Sequence, residues 1–254
     1  MLFEVRHEKI KESIKTHGNV SVDELSESFN TSRVTIRKHL DLLSKEENIT
    51  RVRGGAIYIQ KGTTYEPNYE DKSKDYYNIK KKIGDKSASL IHDGETIILD
   101  SGSTTWHVAD QIKTKRDLTV ITNDLKIAMH LAKNKDIKVF LAGGIVRTNL
   151  FSCHGSDTGN YFKKINADVA FLAADAIDLK KGITNANIEE AEVKKEMIKS
   201  AKKTILVTDS SKFNKVSFTY VADLQEMDFV ITDDKIPLEY IEYLKNEEII
   251  FFLI

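Results

Sequence analysis

Six apolar runs of strand length recur along the chain: Thr96 to Leu99, Leu118 to Ile121, Ile137 to Leu141, Val169 to Ala173, Thr204 to Val207 and Phe229 to Ile231. Helical segments separate several of them. A strand that is apolar at consecutive positions has both faces covered. Strands of that kind alternating with helices predict a mainly parallel sheet layered by helices, an α/β domain. Five of the runs end on polar or glycine residues: Asp100-Ser101-Gly102, Thr122-Asn123, Gly143-Gly144, Ala174-Asp175 and Thr208-Asp209-Ser210-Ser211-Lys212. In open sheets the carboxyl ends of parallel strands form the crevice in which ligands bind.

The first sixty residues have a different rhythm. Phe3, Ile10 and Ile14 fall at helical spacing, and the segment stops at His17-Gly18. Ser21-Val22-Asp23-Glu24 is a capping box, opening a second helix whose apolar face is Val22, Leu25 and Phe29. A third helix starts at Thr31-Ser32 and places Ile36, Leu40 and Leu43 on one stripe. Ile49 to Val52 and Ala56 to Ile59 flank Gly54-Gly55 and predict a β-hairpin. The outline is a winged helix-turn-helix over residues 1–59. Gln60 to Asn78 is polar, contains Pro67 and lacks apolar periodicity; it is expected to be a linker, with the α/β domain over 79–254.

Charge separates these parts. The chain carries 38 Lys+Arg against 39 Asp+Glu, net −1. Residues 1–62 hold 11 basic and 9 acidic side chains, leaving 27 and 30 for the rest, and residues 31–61 alone hold seven basic and three acidic. A basic module precedes a mildly acidic body. The hydrophobic fraction, 41%, supports a packed core and excludes wholesale disorder. A single cysteine, Cys153, excludes an intramolecular disulfide framework and a Cys-rich zinc site, and neither metal nor cofactor is expected. The longest uncharged apolar stretches are far too short to span a bilayer, and Met1 to Glu8 lacks the basic-then-apolar run of a signal peptide, so a cytoplasmic location is expected.

In a helix-turn-helix the helix after the turn enters the major groove with its N-terminal residues nearest the base edges. Here it begins at Ser32. Arg33, Arg37 and Lys38 lie on outward arcs, and Thr35 is placed to bond a phosphate or touch a thymine methyl. Arg51 and Arg53 sit in the hairpin, where a wing meets the DNA backbone or minor groove. In the body, Asp100-Ser101-Gly102-Ser103-Thr104-Thr105 runs from a strand into a helix. Such a loop offers backbone N–H groups, hydroxyls and a helix N-terminus to an anion, and the same residues also serve as an ordinary strand-to-helix turn.

Val20 to Leu25, Ser32 to Leu40 and Arg51-Val52-Arg53-Gly54-Gly55-Ala56 together resemble the DNA-binding domain of the DeoR-type bacterial transcriptional regulators, over nearly all of residues 3–58. The family commonly carries Arg-Arg-Asp-Leu where this chain has Arg37-Lys38-His39-Leu40, which adds His39 to the candidate DNA-facing set. It also favours Gly where Asn48 ends the helix, a position whose left-handed backbone Asn tolerates. Asp100 to Thr105, Val120-Ile121-Thr122-Asn123, Gly143-Gly144, Ala167 to Phe171, Gly182-Ile183-Thr184 and Asp209 to Phe213 resemble the same family's sensor domain, which is similar to ribose-5-phosphate isomerase and binds phosphorylated sugars. The resemblance implies that Ser101, Gly102, Ser103, Thr104 and Thr105 hold a phosphate. It implies that Thr122, Asn123, Gly143 and Gly144 line the pocket, that Asp100 and Asp175 take sugar hydroxyls, and that Lys194, Lys195 and Lys212 supply charge. Arg147, after the Gly-Gly loop, bonds phosphate or pairs with a surface acid. The family often reads Gly-Ala-Asp-Gly where this chain has Ala173-Ala174-Asp175-Ala176.

Two functions are consistent with this pattern. One is a transcriptional regulator, most often a repressor in this family, binding an operator as a homodimer or homotetramer and released by a phosphorylated sugar. The other is a sugar-phosphate isomerase or transferase with an accessory DNA-binding module. It would need a general base beside C1–C2, for which Glu189, Glu190 and Asp175 are candidates. A winged helix has no use in a metabolic enzyme, which favours the regulator. A body serving oligomerisation alone leaves the polar strand ends unexplained.

Overall fold

The computed structural model describes residues 2–44, 48–59 and 62–254. It divides into two compact units, Met1–Gly62 and Thr63–Ile254.

In the first unit, helix α1 (Phe3–His17) ends on Gly18, whose φ of 74° suits the left-handed cap and whose N–H bonds the Ile14 carbonyl. Strand β1 (Asn19–Ser21) leads into α2 (Val22–Ser28) and α3 (Arg33–Leu43), followed by β2 (Ile49–Val52) and β3 (Gly55–Tyr58). The hairpin is joined by β1, giving an antiparallel sheet in the order β1-β3-β2. The third strand has only one buried apolar residue, Val20, too little to register as a run. Gly55 is required by that sheet: a Cβ there would lie 2.0 Å from the Val20 carbonyl oxygen. Asn48 adopts φ 76° after the third helix. Ile10, Ile14, Leu25, Ile36, Leu40, Leu43, Ile49 and Ala56 close a small core.

The second unit opens with α4 (Tyr69–Lys74) and α5 (Tyr77–Ser89). It then alternates β4 (Thr96–Leu99), α6 (Ser103–Gln111), β5 (Leu118–Thr122), α7 (Leu125–Leu131) and β6 (Ile137–Leu141). A small hairpin, β7 (Ile145–Val146) and β8 (Cys153–His154), precedes α8 (Ser156–Phe162) and β9 (Ala167–Leu172). Then come β10 (Ala176–Asp178), β11 (Gly182–Asn185), α9 (Ile188–Lys199) and β12 (Ala201–Val207). The unit closes with β13 (Thr219–Ala222), β14 (Phe229–Thr232), α10 (Leu238–Asn246) and β15 (Ile250–Leu253).

Seven strands form one sheet in the order β15-β14-β12-β9-β4-β5-β6, every pair parallel. Successive strand residues point to opposite faces, and both faces are filled. Ile97, Leu99, Val120, Phe171 and Val207 pack under α5, α6 and α7 through Ile83, Val108 and Ile127. Ile98, Ile121, Ala170, Leu172 and Leu206 pack under α8, α9 and α10 through Phe162, Met197 and Tyr240. The chain builds outward from β4 to β6, then returns to β9 on the other side of β4 and builds outward again. The order therefore reverses between β4 and β9, and at such a reversal the loops leaving two neighbouring strands diverge to opposite faces and leave a crevice. The short antiparallel sheet β10-β11-β13 lies beyond the end of β9.

The linker expectation is corrected over its second half. Residues 69–74 are helical, Tyr69 is buried, and its N–H donates to the Asn149 carbonyl at 2.9 Å. One aromatic anchor, edge-on to Phe151 and capped by the Lys126 ammonium, holds α4 where no apolar stripe was visible. Gln60 and Lys61, where the linker was expected to begin, lie outside the described residues, as do Met1 and residues 45–47.

The capping box is formed in both directions: the Glu24 N–H donates to Ser21 Oγ at 3.1 Å, and the Ser21 N–H to Glu24 Oε2 at 3.0 Å. Ser21→Ala should lower the stability of the first unit by about 1 kcal/mol. The measurement is a shift of its urea midpoint with unchanged slope.

Candidate functional site: a DNA-reading face and a charged crevice

The third helix of the first unit is capped by Ser32, whose Oγ accepts the Thr35 N–H at 3.2 Å. With Ile36, Leu40 and Leu43 buried, Arg33, Arg37 and Lys38 are exposed and Thr35 is half-buried. Arg33 pairs with Asp23 at 2.7 Å, an exposed contact that water and salt weaken. Arg53 is exposed at the hairpin turn, whereas Arg51 is held against α3 and its own hairpin, bonding Asp41 of α3 at 2.9 Å and the Gly55 carbonyl. His39 departs from expectation. It is fully buried, stacked on Phe3 with ring centroids 4.2 Å apart, and its Nδ1 lies 3.2 Å from His7 Nδ1. Position 39 lies beside Leu40 on the inward stripe, so the fold takes the ring inside. Burial, then the nearby His7 and Arg6, lowers its pKa and keeps it neutral. His39 is thus a core residue, not a DNA contact.

The crevice at the sheet reversal is built from the ends of β4 and β9. After β4 the chain passes through Asp100, Ser101 and Gly102 into α6, whose first N–H groups have no partner inside the helix. A Cβ on Gly102 would meet the Ala173 side chain at 3.2 Å, so the two strand ends approach closely there. Asp100 is completely buried. Its Oδ2 accepts the Ala173 N–H at 2.9 Å and an ion pair from Lys194 of α9, while Lys194 also donates to the Ala173 carbonyl at 3.1 Å. Asp124, the buried N-cap of α7, accepts the Gly102 N–H along with those of Lys126 and Ile127, and burial pushes its pKa up to about 6.

Ser101 to Thr104, Ala173 to Asp175, Lys194 and Lys212 line the crevice, joined by Glu66, Lys72, Lys80, Asn185 and Glu190. Arg147 closes one side. Its guanidinium bridges Glu66 at 2.7 Å and Glu190 at 2.6 Å, and Lys72 bridges Glu66 at 2.6 Å and Asp175 at 2.9 Å. Ser101 Oγ donates to Glu190 at 3.1 Å, tying the loop into this network. Burial opposes charge on Lys72 and Arg147, but the carboxylates outweigh it and hold both pKa values above their ordinary levels. Asp175 is correspondingly held well below the carboxylate range despite its burial, chiefly by Lys72. Lys80 is different. Burial, with Lys212 and Lys72 nearby, brings its pKa down to about 8. The Glu66, Asp175 and Glu190 carboxylates converge within 4.8 Å. With Lys72 and Arg147 between them, the chain's own cations offset two of the three negative charges.

Other expected residues lie elsewhere. The Thr105 hydroxyl is spent on the Gly102 carbonyl. Thr122 and Asn123 are wholly buried, the hydroxyl accepting the Asp124 N–H and the amide donating to the Cys153 carbonyl at 2.9 Å; they brace the turn instead of lining the crevice. Gly143 and Gly144 are exposed at the end of edge strand β6, and Gly144 is needed because a Cβ would lie 2.2 Å from Thr158 Oγ1. Lys195, one residue past Lys194, turns away to pair with Glu192 at 2.7 Å and to cover the Tyr220 ring. Asp100 lies beneath the crevice with its Oδ2 engaged and its buried Oδ1 without a hydrogen-bond partner. Lys72, Lys80 and Glu66 were not legible, because they precede the first strand of the sheet and look like solvated charge. Glu190, expected only as a candidate base, is an ion-pair partner of Arg147 in the crevice.

A profile described as the DeoR-like helix-turn-helix domain matches residues 6–62, and one described as the DeoR C terminal sensor domain matches residues 75–234. The "Putative aga operon transcriptional repressor" of Escherichia coli O157:H7 is 34% identical, over 95% of this chain and 90% of that protein. The "Uncharacterized HTH-type transcriptional regulator YulB" of Bacillus subtilis (strain 168) is 32% identical, over 98% and 96%. The "HTH-type transcriptional regulator GolR" of Listeria innocua is 33% identical, over 91% of each. Among solved structures, ribose 5-phosphate isomerase A from Methanocaldococcus jannaschii covers 55% of each chain at 16% identity, with a TM-score of 0.41.

Arg37→Ala should weaken DNA binding across sequences and reduce the slope of log affinity against log salt by about 1. His39→Asn should change the thermal stability of the first unit and leave that slope unaltered. Gel shifts across a salt series read both.

Proposed function

This chain belongs to the DeoR family of HTH-type transcriptional regulators, and on that footing we propose that it represses a sugar-metabolism operon and leaves its operator when a phosphorylated sugar enters the crevice between β4 and β9. The observation that carries the reading is the anion-seeking character of one end of that crevice. The α6 N-terminus and the Ser101, Ser103 and Thr104 hydroxyls face Lys80 and Lys212 there. A helix N-terminus favours an anion by its unsatisfied N–H groups and its dipole. Two ammonium groups in each other's field gain further from a dianion between them. The opposite end, with Asp175, Asn185 and Glu190, offers the acceptors that sugar hydroxyls require.

The enzyme reading finds no support in Glu190 or Asp175, the candidate bases that line the crevice. Glu190 is engaged by Arg147, Ser101 and Ser152, and Asp175 by Lys72 and the Ala186 N–H. A general base needs a free oxygen and a pKa near the working pH; Asp175 has neither. The relatives are named as transcriptional regulators.

The protein works as a homodimer or homotetramer in the cytoplasm, its paired winged helices meeting operator half-sites about one helical turn apart. Among the described residues no helix is long and apolar enough to cross a membrane. Ligand in the crevice shifts operator affinity by a coupling of about 1–3 kcal/mol.

Gel shifts with pentose and hexose phosphates test the proposal: at least one sugar phosphate should release the operator while its unphosphorylated sugar does not. Ser101→Ala with Thr104→Ala should give a protein that binds operator normally and no longer responds. Unchanged calorimetric affinity for the effector in that double variant would refute the phosphate loop. The pH dependence has a definite sign. Lys80 titrates at about 8 in the free protein. A phosphate selects its charged form, so effector affinity should be level from about pH 7, above the phosphate's own second pKa of about 6, to that pH and fall above it, by at most about tenfold per unit. Lys80→Met should weaken binding and flatten the profile.

A further inference from the structure

The crevice is too full for the ligand assigned to it. Its free volume is ≈40 Å³, room for about three waters at ~10–15 Å³ each, against ~300–1,000 Å³ for pockets that take whole small molecules. Part of the filling comes from the chain's own entry segment. Glu66, in the stretch 63–68 ahead of α4, sends its carboxylate between Lys72 and Arg147, and its side chain is only 8% exposed. Residues 62–65 before it are exposed, and 65–68 belong to neither helix nor strand. The other two acids of the network sit on firmer supports: Asp175 follows β9 and accepts the Ala186 N–H, and Glu190 lies in the first turn of α9.

Charge points the same way. With Glu66 in place, Arg147 and Lys72 face three carboxylates; without it they face two and are balanced by Asp175 and Glu190. Within this Arg147–Lys72 network Glu66 is therefore the surplus negative charge, in a crevice that has to admit an anion. It is also the acid whose departure disturbs no sheet or helix.

We infer that Arg147 and Lys72 form a second recognition pole of the crevice, and that Glu66 is the chain's own occupant of that pole. The oxygen-rich sugar end of a phosphorylated effector takes its place. This rests on the crevice being the effector site. Arg147 and Lys72 then donate to hydroxyl or carbonyl oxygens of the ligand, while Asp175 and Glu190 accept from its hydroxyls. The phosphate goes to the α6 end. Expelling Glu66 makes the necessary room and releases residues 63–67, ahead of the Asn68 cap of α4 and part of the covalent connection from residues 1–59 to this unit. Ligand binding thus reaches the DNA-reading end through the chain itself, as a displaced side chain.

Calorimetry on the full-length protein tests the inference, with pentose and hexose phosphates and with inorganic phosphate as probes, for wild type, Glu66→Gln and Glu66→Ala. Both variants should bind the sugar phosphate that wild type binds at least about tenfold tighter, within the range usual for coupled sites. Glu66→Ala should gain more, because it also opens volume. A nitroxide on Thr64→Cys, selective because Cys153 is buried, should gain mobility when that sugar phosphate is added to otherwise wild-type protein and should be mobile from the start in Glu66→Ala. Weaker or unchanged binding in the Glu66 variants overturns the inference, since Glu66 is then a ligand group or a bystander. If no sugar phosphate binds any form, the effector assignment fails, and inorganic phosphate still reads the pole. It should bind Glu66→Ala at least about tenfold tighter than wild type, and adding Arg147→Gln should remove that gain. No gain for inorganic phosphate overturns the pole independently.

Discussion

The buried ion pair between Asp100 and Lys194 fixes the point on which the sensor unit depends. The parallel sheet reverses between β4 and β9, so the chain segments leaving these strands diverge beyond the last ladder bond, from the Asp100 N–H to the Phe171 carbonyl at 3.1 Å. Asp100, at the end of β4, takes the Ala173 N–H of the β9 end, and Lys194 of α9 completes the triangle through the Ala173 carbonyl. An ammonium and a carboxylate this deep are costly to desolvate, and removing one alone typically costs about 3–5 kcal/mol because the other is left buried and uncompensated. The pair is a clamp on crevice geometry more than a source of net stability. It sets the distance between the Ser101–Thr104 turn and the Asp175 turn, across which a ligand has to reach.

A second, more loosely supported charge network is built on that clamp. Arg147 and Lys72 link Glu66, Glu190 and Asp175, and Ser101 connects the network to the turn that enters α6. The two networks differ in mechanical support. Asp100 and Lys194 are anchored in a strand end and a helix interior, whereas Glu66 rides on a segment with no regular structure. A small anionic ligand can therefore rearrange the second without breaking the first, and a binding event of modest energy acts on one segment instead of unfolding the site. The winged-helix unit carries its own hydrophobic core, closed around Ile36, Leu40 and Leu43.

Much of this was legible in the sequence because the physics involved is local. Apolar runs marked six of the seven strands of the parallel sheet to within a few residues, since burial on both faces leaves no alternation to confuse the pattern, and the edge strand β15 was not among them. Ser21 and Glu24 announced the second helix because a capping box is a contact over three residues. What escaped was tertiary. Lys72 and Lys80 read as ordinary solvated lysines on polar helices, and only the folded sheet brings them over the ends of β4 and β9. Lys194 and Lys195 are neighbours in sequence, yet a rotation of about 100° per residue puts one in the core and the other on the surface. His39 looked polar and outward, but the inward stripe of α3 is wide enough to include it once Phe3 supplies a ring to stack on. The strands β10, β11 and β13 are short and broken by polar residues, and their pairing is set by position beyond β9 more than by composition.

The central claim is that an effector occupies the β4–β9 crevice by replacing Glu66. A crystal structure of the protein with a sugar phosphate that releases it from DNA tests this most directly. The account predicts phosphate density at the Ser101–Thr104 turn, sugar oxygens bonded to Arg147 and Lys72, and the Glu66 carboxylate beyond bonding distance of both. A ligand bound at another site, or one bound in the crevice with the Glu66–Arg147 and Glu66–Lys72 pairs intact, would contradict it.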